Sequence, residues 1–172
     1  MNSSDAAASR RRRFDELVGV YHPDMYRYAA WLSRDRTVAE DVVQESLLRA
    51  WKSLESLRDD AAAKHWLLTI VRRENARYFE RRRLETVDVD DLTPSQEALL
   101  ADQPDHEMDD VRDAIYRLDD DYREPLVLQV LMGYSTNEIG ELMGLRQGAV
   151  LTRLHRARLK LRDALNTDMS ET

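Results

Sequence analysis

Apolar side chains fall three and four residues apart in two blocks of this chain, Phe14 to Arg83 and Met108 to Leu165, and an acid-rich stretch between them breaks the spacing. That period is the signature of amphipathic helices that bury one stripe each. In the first block Phe14, Leu17, Val18, Tyr21, Met25, Tyr28, Ala29 and Leu32 form one stripe, with Pro23 expected to kink or split the helix. Thr37 to Glu40 has capping-box form, and the helix it opens carries Val38, Val42, Leu47, Leu48 and Trp51 inward. A third helix, from about Ala61 to Arg83, begins apolar and ends polycationic. Only 5 Gly and 4 Pro among 172 residues agree with helix rather than turn-dense sheet. The expected fold is therefore all-α: two small helical domains joined by an acidic linker.

The boundaries that follow are a basic N-terminal tail over 1–13, a helical domain over 14–83, a linker over 84–107, a second helical domain over 108–166 and a C-terminal tail over 167–172. The Arg10 to Arg13 run reads as a disordered tail able to touch anions. Fully extended, the linker could reach about 80 Å, and as one helix about 36 Å. Cysteine is absent, which excludes a disulfide framework, a thiolate metal site and a thiol nucleophile. The longest apolar stretch near the middle, Trp66 to Val71, is far short of the roughly 20 residues that span a membrane, and the N-terminus lacks a signal-peptide stretch. A cytoplasmic protein with no membrane insertion is expected.

Net charge of −7 hides a strong segregation: +4 over residues 1–84, −12 over 85–121 and +1 over 122–172. Local charge, not the total, steers phosphate. In the second block, Asp121 to Glu124 has capping-box spacing ahead of Leu126 to Met132, whose uniform apolarity predicts a helix buried nearly all round. Gly133 then ends a helix, Ser135 to Glu138 is a further capping box, and Gly144 turns the chain into a last helix from about Gln147 to Leu165. Arg146, Arg153, Arg156, Arg158, Lys160 and Arg162 lie there with no acid between 146 and 162. Two short helices around a glycine turn, the second basic, form a helix-turn-helix pattern. Side chains at the entering end of such a helix meet base edges while cations further along neutralise phosphates. A merely solvated helix complementing its own dipole is the bland alternative, and the capped helix and glycine turn weigh against it.

On the third helix, Tyr78 and Phe79 stand among arginines. Interleaved cations and rings suit single-stranded nucleic acid, where charges follow the backbone and a ring receives an unstacked base. Trp66 has core as its commoner reading. Glu40, Asp41, Gln44 and Glu45 make an exposed polar face suited to a protein partner, with ordinary solvated surface as the alternative. Glu40, Asp41 and Glu45 also raise metal-dependent nucleotide hydrolysis, but that chemistry needs a second acidic pair, and the facing helix offers only Glu74 and Glu80 among arginines. No glycine-rich phosphate loop and no histidine ligand spacing occur, so neither catalysis, a metal nor a cofactor is expected.

Ala39 to Glu45, followed by Leu48 to Trp51 and by Trp66 to Arg72, resembles region 2 of the bacterial sigma-70 family in its short extracytoplasmic-function group. Gly133 to Gly140 and Gly148 to Arg158 resemble region 4 of the same family. The resemblance implies a transcription initiation factor that binds core RNA polymerase, at the beta-prime clamp and the beta subunit, directs it to promoter DNA and is held by an anti-sigma factor. It implies polymerase contact through Glu40, Asp41, Gln44, Glu45 and Arg49. Contact with an opened minus-10 element falls to Trp66, Arg72, Arg73, Asn75, Arg77, Tyr78 and Arg81. Reading of a duplex minus-35 element falls to Ser135, Arg146, Gln147, Ala149, Leu151, Thr152, Arg153 and Arg156. Arg73 and Arg77 replace an Asn and an Asp that many relatives carry, and Arg146, Ala149 and Leu151 replace a usual Ser, Thr and Lys. The rival reading is a stand-alone helix-turn-helix regulator whose first domain senses or dimerises. Replacing residues 146–153 with a relative's is expected to change minus-35 preference in promoter selection; unchanged promoter choice would contradict it.

Overall fold

The computed structural model describes residues 3–85 and 106–168, and among them seven α-helices and no strand occur. The chain separates into two compact units, Met1–Pro94 and Ser95–Thr172.

The first unit packs three helices against one another: α1 (Ser3–Ser33), α2 (Arg36–Ser53) and α3 (Ala63–Glu85). α1 passes through Pro23 as one helix and begins well before Phe14, so the Arg10 to Arg13 run is helical rather than a tail. Partners distant in sequence hold it there. Arg10 donates to the Trp51 carbonyl at 2.7 Å and lies 4.6 Å from the centre of that indole, while Arg13 donates to the Leu57 carbonyl at 2.7 Å and pairs with Asp60 at 2.6 Å. Phe14 meets Trp51 edge to face at 5.2 Å. These arginines spend their aliphatic stems on the helix surface and their heads on acceptors.

The turn into α2 is set by Arg34, whose φ of 59° is left-handed, and by Asp35, whose side chain accepts from the Val38 amide at 3.1 Å. Asp35, not Thr37, is thus the N-cap. An aspartate two residues earlier satisfies the same orphan donors. The inward stripe of α2 also differs from expectation: Val38, Ala39, Val42, Val43, Ser46 and Ala50 are buried, whereas Leu48 is 55% exposed. Two 3-10 turns, Leu54–Ser56 and Asp60–Ala62, connect α2 to α3, and Leu54, Leu57, Leu17 and Ala63 make a core cluster with Phe14, Tyr21 and Trp66 packed on it. α3 buries Ala63, Leu67, Leu68, Val71 and Glu74.

In the second unit, α7 (Gln147–Asp168) packs on α4 (His106–Tyr116), α5 (Asp120–Val130) and α6 (Thr136–Met143). Leu84 and Glu85 close α3 while His106 and Glu107 open α4, so the expected linker is shorter at both ends; its remaining residues lie outside those described. α5 starts after Asp119 rather than at a box on Asp121. Arg123 accounts for the shift: at 2% exposure it donates to the Leu118 carbonyl at 2.9 Å and pairs with Asp120, clipping the α4–α5 turn. Leu126, Val127, Leu128 and Met132 are buried, but Val130 is 64% exposed, so burial is not all round.

The Ser135 capping box is present as expected, with the Ser135 amide donating to the Glu138 carboxylate at 2.8 Å and the Glu138 amide to Ser135 Oγ at 3.3 Å. Gly144 ends α6 at φ 67°, and the Leu145 amide donates to the Gly140 carbonyl at 2.8 Å. That fold-back leaves no room at Gly140, where an added Cβ would lie 2.7 Å from the Leu145 carbonyl oxygen. Gly140→Ala is expected to cost the second unit about 1–3 kcal/mol, measurable as lost hydrogen-exchange protection in α6 and α7; unchanged protection would contradict the close approach.

Candidate functional site

On α2 the residues spaced to avoid the core are Glu40, Asp41, Gln44, Glu45, Leu48 and Arg49, and all are exposed. They share one side of the helix because i, i+4 and i+8 positions superimpose. Beside them runs α3, whose Arg73, Arg77 and Arg81, four apart, form an exposed strip.

Between the two helices lie two contiguous grooves. One, of about 400 Å³, is lined by Asp41, Gln44 and Glu45 from α2 and by Tyr78, Arg81, Arg82 and Glu85 from α3. The other, of about 510 Å³, brings Glu45 and Arg49 against Glu74, Arg77, Glu80, Arg81 and Leu84. Residues assigned from sequence to a protein-docking face and to a nucleic-acid face are therefore neighbours across one seam.

The seam is fixed by Glu74. Its carboxylate is buried and pairs with Arg49 of α2 at 3.3 Å and with Arg77 of α3 at 3.0 Å. Sequence reasoning passed over it as one acid among arginines. Its signal was positional: Glu74 continues the inward stripe of Leu67 and Val71, and a charge on such a stripe needs a paired partner. Among the described residues no three His, Asp or Glu side chains group to hold a metal.

The seven α3 residues expected to meet DNA do not form one face. Arg77 and Arg81 line the grooves beside α2 and Arg73 is exposed one turn earlier, whereas Arg72 is rotated by about 100° from Arg73. Asn75 is turned inward, its Oδ1 buried without a hydrogen-bond partner. Tyr78 is half-buried, accepts from Arg82 at 3.1 Å and stands edge to face with Phe79, ring centres 5.4 Å apart. Trp66 is packed on the core cluster at the other end of the helix.

In the second unit, Arg146, Gln147, Ala149, Leu151, Thr152 and Arg156 are exposed around the start of α7, with Leu151 at 52%. Val150, Leu154 and Ala157 face inward and fix which side is presented. Gln147 donates to Thr136 at 3.3 Å across the helix-turn-helix, and Thr152 donates back to the Gly148 carbonyl at 2.9 Å. Ser135 is occupied by its capping box. Arg153 is half-buried and pairs with Asp121 at 2.9 Å, Arg158 donates to Gln129, and Lys160 lies 3.8 Å from Asp119. Part of the basic shaft of α7 thus turns back on α5, Arg153 and Lys160 at its start and Arg158 at its end, while Arg146, Gln147 and Arg156 are exposed.

Residues 17–85 match the family described as Sigma-70 region 2, and residues 108–161 match Sigma-70, region 4. The chain is 35% identical to ECF RNA polymerase sigma factor SigL of Mycobacterium tuberculosis, over 91% of this chain and 88% of that one. It is 33% identical to ECF RNA polymerase sigma factor EcfG of Rhodopseudomonas palustris, over 92% and 87%. Among solved structures it resembles the sigma factor RpoE of Bartonella quintana in complex with the anti-sigma factor NepR, with a TM-score of 0.79 at 28% identity, covering 91% of this chain and 99% of that chain.

Arg13→Ala, which removes a hydrogen bond to a backbone carbonyl and a partly solvated ion pair, is expected to cost about 1 kcal/mol. Faster amide exchange confined to residues 54–62 and α1 would agree; protection equal to wild type would mean the helical arginines contribute nothing.

Proposed function

The chain belongs to the sigma-70 family, in its extracytoplasmic-function (ECF) group, and from that premise we propose that it binds core RNA polymerase and confers promoter-specific initiation without catalysing a reaction itself. What carries this reading is that the two matched regions fall on two separately folded units in the family's order. Each unit offers a surface of suitable chemistry. The polar face of α2, around Asp41, Gln44 and Glu45, docks on the beta-prime clamp. The Arg73, Arg77 and Arg81 strip, with Tyr78 sharing a groove with Arg81, takes the melted minus-10 strand, since cations follow a backbone and rings receive unstacked bases. The exposed start of α7 enters the major groove at the minus-35 element, where Arg146 and Gln147 reach base edges and Leu151 offers an apolar contact to a thymine methyl.

An anti-sigma factor holds the chain inactive by covering these surfaces, a reading supported by the likeness to RpoE in its complex with NepR. The compartment is the cytoplasm, where core polymerase works; no helix among the described residues is long and apolar enough to cross a membrane.

Run-off transcription on genomic fragments with purified core enzyme tests the reading, and discrete transcripts that require this chain are expected. No initiation, with tight duplex binding by the chain alone, would instead identify a stand-alone helix-turn-helix regulator. Asp41→Ala is expected to weaken association with core enzyme by about tenfold, on the order of 1.4 kcal/mol, with unchanged helicity by circular dichroism; undiminished association would remove α2 from the interface.

A further inference from the structure

Glu74 is the one buried carboxylate among the described residues, at 4% exposure, and two arginines converge on its Oε1. Arg49 reaches it from the docking face of α2 and Arg77 from the cationic strip of α3, each with about half of its own side chain in solvent, 54% and 50%. Such an arrangement has a specific consequence. A solvated arginine samples many rotamers and loses that freedom when it grips a phosphate, whereas a planar guanidinium already held through one nitrogen has fewer orientations left for its remaining donors. A buried carboxylate also cancels the repulsion between two cations gathered at one point, so both can stay beside the 510 Å³ groove they line with Arg81 and Leu84.

We propose that Glu74 is a positioning residue for single-strand contact: it orients Arg77 toward the melted strand and, through Arg49, ties that orientation to the helix that docks on polymerase. The proposal rests on the promoter-opening reading of α3 given above. Simple charge dilution, the competing role for a carboxylate among arginines, makes the opposite prediction. If Glu74 only lowered the positive potential, removing its charge would tighten DNA binding.

The experiment uses holoenzyme assembled from the full chain and core polymerase, on a promoter from which the wild type initiates. Its readout is affinity for a fluorescent single-stranded oligonucleotide spanning the non-template minus-10 region. Glu74→Gln is expected to weaken that affinity about five- to tenfold while leaving core association within about twofold. Arg77→Ala is expected to lose a similar factor, and the double variant no more than Arg77→Ala alone, since the two act as one unit. Tighter binding by Glu74→Gln, wild-type binding, or losses that multiply in the double variant would each overturn the proposal. Arg77→Lys keeps the charge but not the planar guanidinium whose Nη1 meets Glu74, and does not depend on how well position 74 tolerates change. It is expected to lose as much as Arg77→Ala, and full retention of affinity would overturn the proposal independently. A wild-type holoenzyme that initiates nowhere would sink the promoter-opening reading itself, an outcome distinct from one that initiates but is indifferent to Glu74.

Discussion

Small side chains at the helix crossings hold the first unit together and decide what its surface can do. Ala29 and Ala30 on α1, Ala39, Ser46 and Ala50 on α2 and Ala63 on α3 are all buried, and Ser46 returns its hydroxyl to the Val42 carbonyl at 2.6 Å so that no polar group is stranded. Three helices that meet through such residues approach closely around the buried Met25, Tyr28, Leu67 and Leu68, and their charged side chains, Glu74 excepted, are left on the outer faces. The acidic side of α2 and the cationic side of α3 follow from this. The seam between them would be electrostatically awkward without a buried carboxylate to join an arginine from each.

Charge segregation along the chain is likewise partly structural. The acidic block between residues 85 and 121 ends in Asp119, Asp120 and Asp121, and these are used inside the second unit, on Lys160, Arg123 and Arg153 respectively. The pairs on Arg153 and Lys160 neutralise part of the basic last helix, while Arg156 on it and Arg146 just before it are exposed. A helix that is basic throughout would grip any phosphate backbone; one whose rear is neutralised concentrates its field where base edges are met.

Features written in local sequence were legible before any coordinates, and those made by distant partners were not. The Ser135 to Glu138 box, the Gly144 stop and the inward Val150, Leu154 and Ala157 depend on residues within a few positions of one another, and each stands where spacing put it. Asp35 outcompeted Thr37 as a cap because either can serve a helix starting there, and the left-handed Arg34 that decides between them has no sequence signal. Arg10 and Arg13 looked like a tail because their acceptors, at Trp51 and Leu57, are more than 40 residues away. Leu48 looked like core because α2 turns its small residues inward instead. At the candidate site the polar face of α2 and the start of α7 were readable from periodicity. The link through Glu74 was not, since its second arginine comes from another helix.

The central claim is that one chain places two separately folded units on two stretches of one promoter, one stretch unpaired and the other duplex. Photocrosslinking tests it most directly, with a reactive group at position 81 or position 149 of the full chain assembled with core polymerase on a promoter it uses. The account predicts that position 81 crosslinks to the non-template strand only where the duplex is open, and that position 149 crosslinks further upstream to paired DNA. Crosslinks from both positions to the same segment, or from position 81 to closed duplex alone, would contradict it.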